Sequence, residues 1–194
     1  NSGLEGVDGS ALESCRPIEW TGGHAIDDTF VTGLFARIHA AAFREPELLS
    51  LFGISRASLT RLLAEARNIL AREKTLEFTR IPQSGQLHVL GDLHGDVFSL
   101  FSALRITGMP SDENLVDRGP WGTEVLILVF ALKIWKPKSV YIIRGNHETS
   151  GCVTRYGFES EVVRKYDLKT HRAFMITLRE LPLAIVVQSD LPLA

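Results

Sequence analysis

Asp92 and His94 stand two positions apart, between glycines, in Gly-Asp-Leu-His-Gly at 91–95. A carboxylate and an imidazole in one tight turn suit a hard-to-borderline divalent metal such as Mn, Fe or Zn. Val-Asp-Arg-Gly at 116–119 brings Arg118, whose planar guanidinium matches phosphate oxygens. Gly-Asn-His-Glu at 145–148 adds Asn146, a neutral oxygen ligand, and His147, whose imidazole can move protons. Asp117 can orient that imidazole, as carboxylates do in hydrolases. Each piece alone reads as a polar turn. All of them in this order, each at the junction of two elements, describe a metal site built to handle phosphate. His24, His39, His88 and His171 fall outside the pattern and read as structural or solvated.

Such turns need strands and helices to deliver them. Gln-Leu-His-Val-Leu-Gly-Asp (86–92) and Ser-Val-Tyr-Ile-Ile-Arg-Gly-Asn (139–146) read as short apolar or β-branched strands, and Ala-Ile-Val-Val-Gln (184–188) as a last one. Helical periods run through 97–108, 123–135, 158–166 and 172–181. The helix at 123–135 is apolar nearly all round. Alternation of this kind predicts an α/β domain with parallel strand pairs, and sites in such sheets lie beyond the carboxyl ends of strands. Upstream, Phe30, Leu34, Ile38 and Ala41 share one face of a helix that Asp27 or Asp28 can cap. Pro46 to Gly53 reads as a short helix. Leu59, Leu62, Leu63, Ala66, Ile69 and Leu70 form a second apolar stripe, with Ser58 as its candidate cap. Residues 1–27 read as an extended arm anchored by Ile18 and Trp20. The chain thus divides into an N-terminal arm with helices (1–56) and an α/β unit (57–194).

The 194 residues are 45% hydrophobic and 23% charged, an ordinary globular balance. A net charge of -2 makes no case for nucleic acid or an anionic membrane as partner. No apolar run approaches the roughly 18 residues of a membrane span. Cys15 and Cys152 are far apart and form no Cys-x-x-Cys pair, so a reducing compartment, cytoplasm or nucleus, is favoured over secretion. A chain beginning at Asn1 leaves room for a removed targeting peptide.

The motifs resemble those of the metal-dependent phosphoprotein phosphatases that act on Ser and Thr, which carry GDxHG, GDxVDRG and GNHE in this order. The resemblance runs from about Leu59 to Ala184. Within the family, Arg-Tyr-Gly-Phe-Glu-Ser-Glu-Val-Val-Arg-Lys-Tyr (155–166) and Leu-Arg-Glu-Leu-Pro-Leu-Ala-Ile-Val-Val (178–187) look like the branch of plant type-seven and retinal-degeneration-C, EF-hand-bearing phosphatases. The resemblance implies a calcineurin-like metallophosphatase sandwich, here incomplete, behind a helical N-terminal segment. It implies two divalent metals, with Asp92 and His94 on the first and Asn146 on the second and on phosphate. It implies Arg118 on the phosphate oxygens, and His147 protonating the leaving alkoxide with help from Asp117. A metal-bridging hydroxide would attack phosphorus, and a phosphoprotein would be the substrate. The Arg-bearing helix at 57–74 reads first as a core-packing helix. The type-seven resemblance adds calmodulin as an alternative partner.

The family pattern is also broken. Asn114, Leu115 and Val116 precede Asp117 directly, where the family has an apolar strand and the aspartate that bridges both metals. Asn114 stands where that aspartate aligns, and an amide cannot neutralise two cations as a carboxylate does. Asp112 and Glu113 are possible substitutes. The family also has a second half, with two further histidine ligands and a second phosphate-binding arginine, beyond the part matched here. Losing a central strand leaves open edges and an exposed apolar face. Two readings follow. One is a Ser/Thr phosphoprotein phosphatase-like protein that is active when intact. The other is a catalytically dead relative, a scaffolding subunit whose sheet surface is covered by protein partners.

Overall fold

The computed structural model describes residues 18–20, 26–42, 54–81, 85–107, 117–118, 121–149 and 157–189. The expected helix at 46–53 and arm residues 1–17 lie outside them; the expected anchors Ile18 and Trp20 are half-buried against the core, and Ile18 bridges Ile54. Helix α1 (Asp28–Ala42) starts where Asp27 Oδ1 accepts the Phe30 N–H at 2.8 Å. Its buried stripe is Val31, Leu34, Phe35 and Ile38, with Phe30 at the rim.

Helix α2 (Arg56–Leu70) is capped by Ser55, whose Oγ accepts the Ser58 N–H at 3.2 Å. Ser58, the expected cap, lies inside instead: its hydroxyl takes the Trp20 N–H at 2.7 Å and reaches Glu19 Oε2 at 2.8 Å. Ser55 stands where the chain is still extended, so its side chain can turn back onto the first free N–H groups. Leu59, Leu62, Leu63, Ala66 and Leu70 are buried. Each of the four leucines contributes roughly 1.5–3 kcal/mol, which commits this face to the core.

After α2 come β1 (Leu76–Ile81), β2 (Leu93–Gly95), α3 (Val97–Thr107), β3 (Asp117–Arg118) and α4 (Gly122–Trp135). Then follow α5 (Phe158–Lys165), α6 (Leu168–Leu178) and β4 (Ala184–Ser189). Helix α4 is the hub. Every residue from Gly122 to Lys133 is buried, because α1, α2, α3, α5 and β2 all pack on it. A helix apolar on all sides has no face to give to water. The buried core is continuous from Ile26 to Leu181.

Among the described residues the strands form two parallel pairs, the pairing the sequence predicts, but different segments build them. β1 pairs with β4 from Leu76↔Ala184 to Ile81↔Ser189, and β2 pairs with β3 from Leu93↔Asp117. Residues 86–92 and 139–146 are irregular, not strands. A strand exists only where a neighbour completes its ladder, and no described strand lies along either segment. Their backbone groups go elsewhere: Val140 O accepts from Lys133 Nζ at 2.6 Å, and the Arg144 N–H bonds Pro182 O at 2.7 Å. Leu76–Ile81 is the strand missed in the sequence, although Leu-Glu-Phe-Thr-Arg-Ile alternates with period two. One face of the β1–β4 pair carries Leu76, Phe78 and Val186, exposed by 44%, 58% and 39%.

Candidate functional site

The first candidate turn is built by alternation. Leu93 and Gly95 are buried, while Asp92 and His94 are exposed, so both candidate ligands share the outer face of β2. His94 has φ 51°, and Gly95 follows at φ 61°. Two successive left-handed residues reverse the chain into α3. Glycine does this freely, but for histidine it costs about 1–2 kcal/mol. Strain of this kind collects at working sites. Asp96 is consumed by the helix start. Its N–H bonds Leu93 O at 2.8 Å, and its carboxylate takes the Phe98 N–H at 2.9 Å and the Ser99 hydroxyl at 2.7 Å.

β3 then sets the second turn against the first. The main chain of Asp117 lies opposite Leu93, and that of Arg118 opposite His94 and Gly95, with a register irregularity between the last two. The Trp121 N–H closes the arrangement on Gly95 O at 3.1 Å. The side chains of Asp117 and Arg118, and the residues Asp112, Glu113 and Asn114, lie outside what the structure describes.

The third turn is fastened to the other sheet. Tyr141 OH and Thr79 Oγ1 are 3.0 Å apart, and the Arg144 guanidinium donates to Arg179 O and Leu181 O in the connection from α6 to β4. Asn146 is exposed and His147 half-buried, and Thr149 Oγ1 donates to Asn146 O at 3.3 Å. Gly145 packs closely: a Cβ there would sit 2.6 Å from Oε2 of the buried Glu148, so that carboxylate would have to shift. The fold thus joins 92–95 to 117–118 through a strand pair. It anchors 145–148 through the loop that leads out of α4.

Two buried charge clusters carry these turns, and neither was picked out in the sequence. Lys133, wholly buried, pairs with Glu73 and donates to Pro137 O at 2.9 Å and Val140 O at 2.6 Å. Burial pushes the Lys133 ammonium down and the Glu73 carboxyl up, and their mutual attraction opposes both shifts. Lys165 bridges Glu124 Oε2 at 2.5 Å and Glu161 Oε1 at 2.6 Å. Burial pushes Glu124 up, against the pull of the Lys165 charge. The sequence signals were a charge inside an otherwise apolar helix, at Glu124 and at Lys133, and the i,i+4 spacing of Glu161 and Lys165.

The calcineurin-like phosphoesterase family profile matches residues 85–193, more than half of the chain. This chain belongs to the calcineurin-like phosphoesterases. Among its relatives is serine/threonine-protein phosphatase 7 of Arabidopsis thaliana, 32% identical over 184 residues, covering 88% of this chain and 44% of the relative. Serine/threonine-protein phosphatase T of Schizosaccharomyces pombe is 38% identical over 138 residues, covering 66% and 29%. Human serine/threonine-protein phosphatase 5 is 29% identical over 185 residues, covering 92% and 36%. A solved structure of a serine/threonine phosphatase from Saccharomyces cerevisiae, described as similar to human phosphatase PP5, superposes with TM-score 0.66 at 26% identity, covering 70% of this chain and 46% of that one. The chain thus spans less than half the length of these relatives.

Membership of the phosphoesterases implies divalent metal ions. The described donors suit such an ion chemically, since carboxylate oxygen and imidazole nitrogen are its usual ligands. They do not compose a two-metal cage. Among the described residues, no group of three or more His, Cys, Asp or Glu converges to hold a metal. Among the same residues, no helix is long and apolar enough to cross a membrane.

Proposed function

We propose that this phosphoesterase chain is part of a Ser/Thr phosphoprotein phosphatase-like protein whose site binds a phosphorylated Ser or Thr side chain. The pairing of β2 with β3 is the observation that carries this reading. It sets the exposed Asp92–His94 face beside the main chain of Asp117 and Arg118. In the proposal, Arg118 holds phosphate oxygens through two parallel N–H donors. Asn146, exposed on the third turn, hydrogen-bonds the same group. His147 gives a proton to the departing alkoxide, and Asp117 orients it. Asp92 and His94 are the candidate ligands of one divalent ion, Mn, Fe or Zn. The proposed compartment is the cytoplasm or nucleus.

The test is hydrolysis of a phosphoserine peptide by the purified protein with added Mn²⁺, beside its Asp92→Asn and Arg118→Ala variants. Metal-dependent turnover that both variants abolish supports the proposal. Turnover indifferent to Asp92 would sink it. One observation favours a second reading, a scaffolding relative without turnover: Asn-Leu-Val stands before Asp117 in place of a bridging carboxylate. In that reading a protein partner covers the exposed Leu76, Phe78 and Val186 face. It is supported if phosphate binds without hydrolysis in every metal tried.

A further inference from the structure

Helix α4 begins four residues after Arg118, yet its own sequence supplies no cap. Trp121, at the cap position, makes no side-chain hydrogen bond to the helix start. The first N–H groups of a helix must still be satisfied, above all when they are buried. Here the acceptor comes from another helix. Glu161 of α5 takes the Thr123 N–H on Oε1 at 3.0 Å. The same carboxylate is held by Lys165 one turn further along α5, and Lys165 also holds Glu124 of α4. Side-chain exposures of 5% for Lys165, 4% for Glu124 and 11% for Glu161 show that this bridge lies inside the protein. Two carboxyl groups thus share one ammonium. The positive end of the α4 dipole lies beside them and favours their charged form.

The bridge reaches the phosphate-handling turn by two routes. The Lys165 ammonium lies 5.4 Å from the centre of the Trp121 ring, and the Trp121 N–H is bonded to Gly95 O in the Asp92–His94 turn. Gly122 lets α5 approach, since a Cβ there would meet Glu161 Oε2 and Phe158 Cδ2, each at 3.3 Å. From Arg118 to Trp121 the chain has only Gly119 and Pro120 between them. A connection this short spans at most roughly 10 Å, so the position of Trp121 bounds where Arg118 can lie.

We propose that Lys165, acting through Glu161 and Glu124, is a positioning residue: the buried bridge from α5 sets where the chain leaves β3 and so aims Arg118 at its phosphate. The proposal rests on the reading of Arg118 as a phosphate ligand. A misplacement of about 1 Å in such a group is enough to cost about a hundredfold in rate.

The test compares Lys165→Met, Lys165→Arg and Glu161→Gln in the full chain. Hydrogen exchange of 121–125 is followed against 168–178, and inorganic phosphate binding is titrated. Lys165→Met is expected to speed exchange at 121–125 about tenfold, the scale of one charge-assisted hydrogen bond, with little change in α6. It should weaken phosphate binding by about the same factor, and Lys165→Arg should restore both, because it keeps the charge that a purely packing role does not need. If Lys165→Met does not fold, Glu161→Gln carries the same comparison, since it keeps an acceptor for Thr123 but loses the ion pair. Equal acceleration in α6, or no rescue by arginine, overturns the proposal. The exchange measurement decides the bridge by itself. Absent phosphate binding in the unmodified chain would instead count against the reading of Arg118.

Discussion

Replacing Lys133 with methionine removes a cation that the fold has taken wholly out of water. Its ammonium serves three acceptors: the Glu73 carboxylate, Pro137 O at 2.9 Å and Val140 O at 2.6 Å. The Tyr141 ring lies 5.1 Å away on another side. Methionine keeps most of the volume, so the packing loss is small. The electrostatic loss is not. Removing one partner of a buried pair costs about 3–5 kcal/mol, because the other charge is left without compensation. Glu73 keeps 15% side-chain exposure, and burial already pushes its carboxyl up, so it can partly hydrate or neutralise. That favours the lower end for the pair. The two carbonyls add about 1–3 kcal/mol each if water cannot reach them. All three losses share one nitrogen and do not add in full, so the net expectation is about 3–5 kcal/mol. Against a typical total of about 5–15 kcal/mol, that is a large fraction.

The assay is equilibrium urea unfolding, with the slope checked for constancy. Glu73→Gln should cost about 3 kcal/mol, the lower end of the same range, since it leaves the buried ammonium without its counter-charge while an amide oxygen can still accept its hydrogen bond. The double variant should recover at least about 1 kcal/mol relative to the sum of the two single losses. A Lys133→Met loss within about 0.5 kcal/mol at unchanged slope, or full additivity in the double variant, would refute the reasoning. The loss should also loosen residues 141–147, because Lys133 holds the loop from which the third turn hangs.

Three further outcomes are expected. Asp167 caps α6, and the backbone N–H and hydroxyl of Thr170, with Arg56, hold its carboxyl down to about 2 from an ordinary 3.8. The folded value lies below the unfolded one, so its stabilisation is complete above the ordinary value and is lost as pH falls toward about 2. Urea midpoints between pH 5 and 2, which Asp167→Asn should make flatter, check this. His94→Gly should leave stability unchanged or raise it by up to about 1 kcal/mol while abolishing any metal-dependent turnover, because it relieves a left-handed histidine. A clear stability loss in urea would show that the imidazole is structural. Gly145→Ala forces Glu148 aside and should cost about 1–2 kcal/mol, read from the same curves, with no penalty if the Glu148 carboxylate can simply swing away.

Much of this protein is local and therefore legible in sequence. The order of the turns at 91–95, 116–119 and 145–148 names a phosphoesterase without any coordinates. The α2 stripe and the all-round apolar α4 follow from a period of 3.6 residues, which depends only on near neighbours. The strands are different. Residues 139–146 have the β-branched composition of a strand yet form none, while Leu76–Ile81 forms one with a segment more than a hundred residues away. Strand composition records a preference, but the ladder bonds come from a partner that only the tertiary fold supplies. The same holds for charge. Lys133 and Lys165 look like solvated cations in the sequence; the fold buries them because Glu73, Glu124 and Glu161 arrive at the same place. Ser55 caps α2 in place of Ser58 because Ser58 is drawn inward by Glu19 and Trp20. In each case the sequence contains the groups. Glu161 and Lys165, one helical turn apart, are the exception that spacing could reveal; the other partners lie too far along the chain.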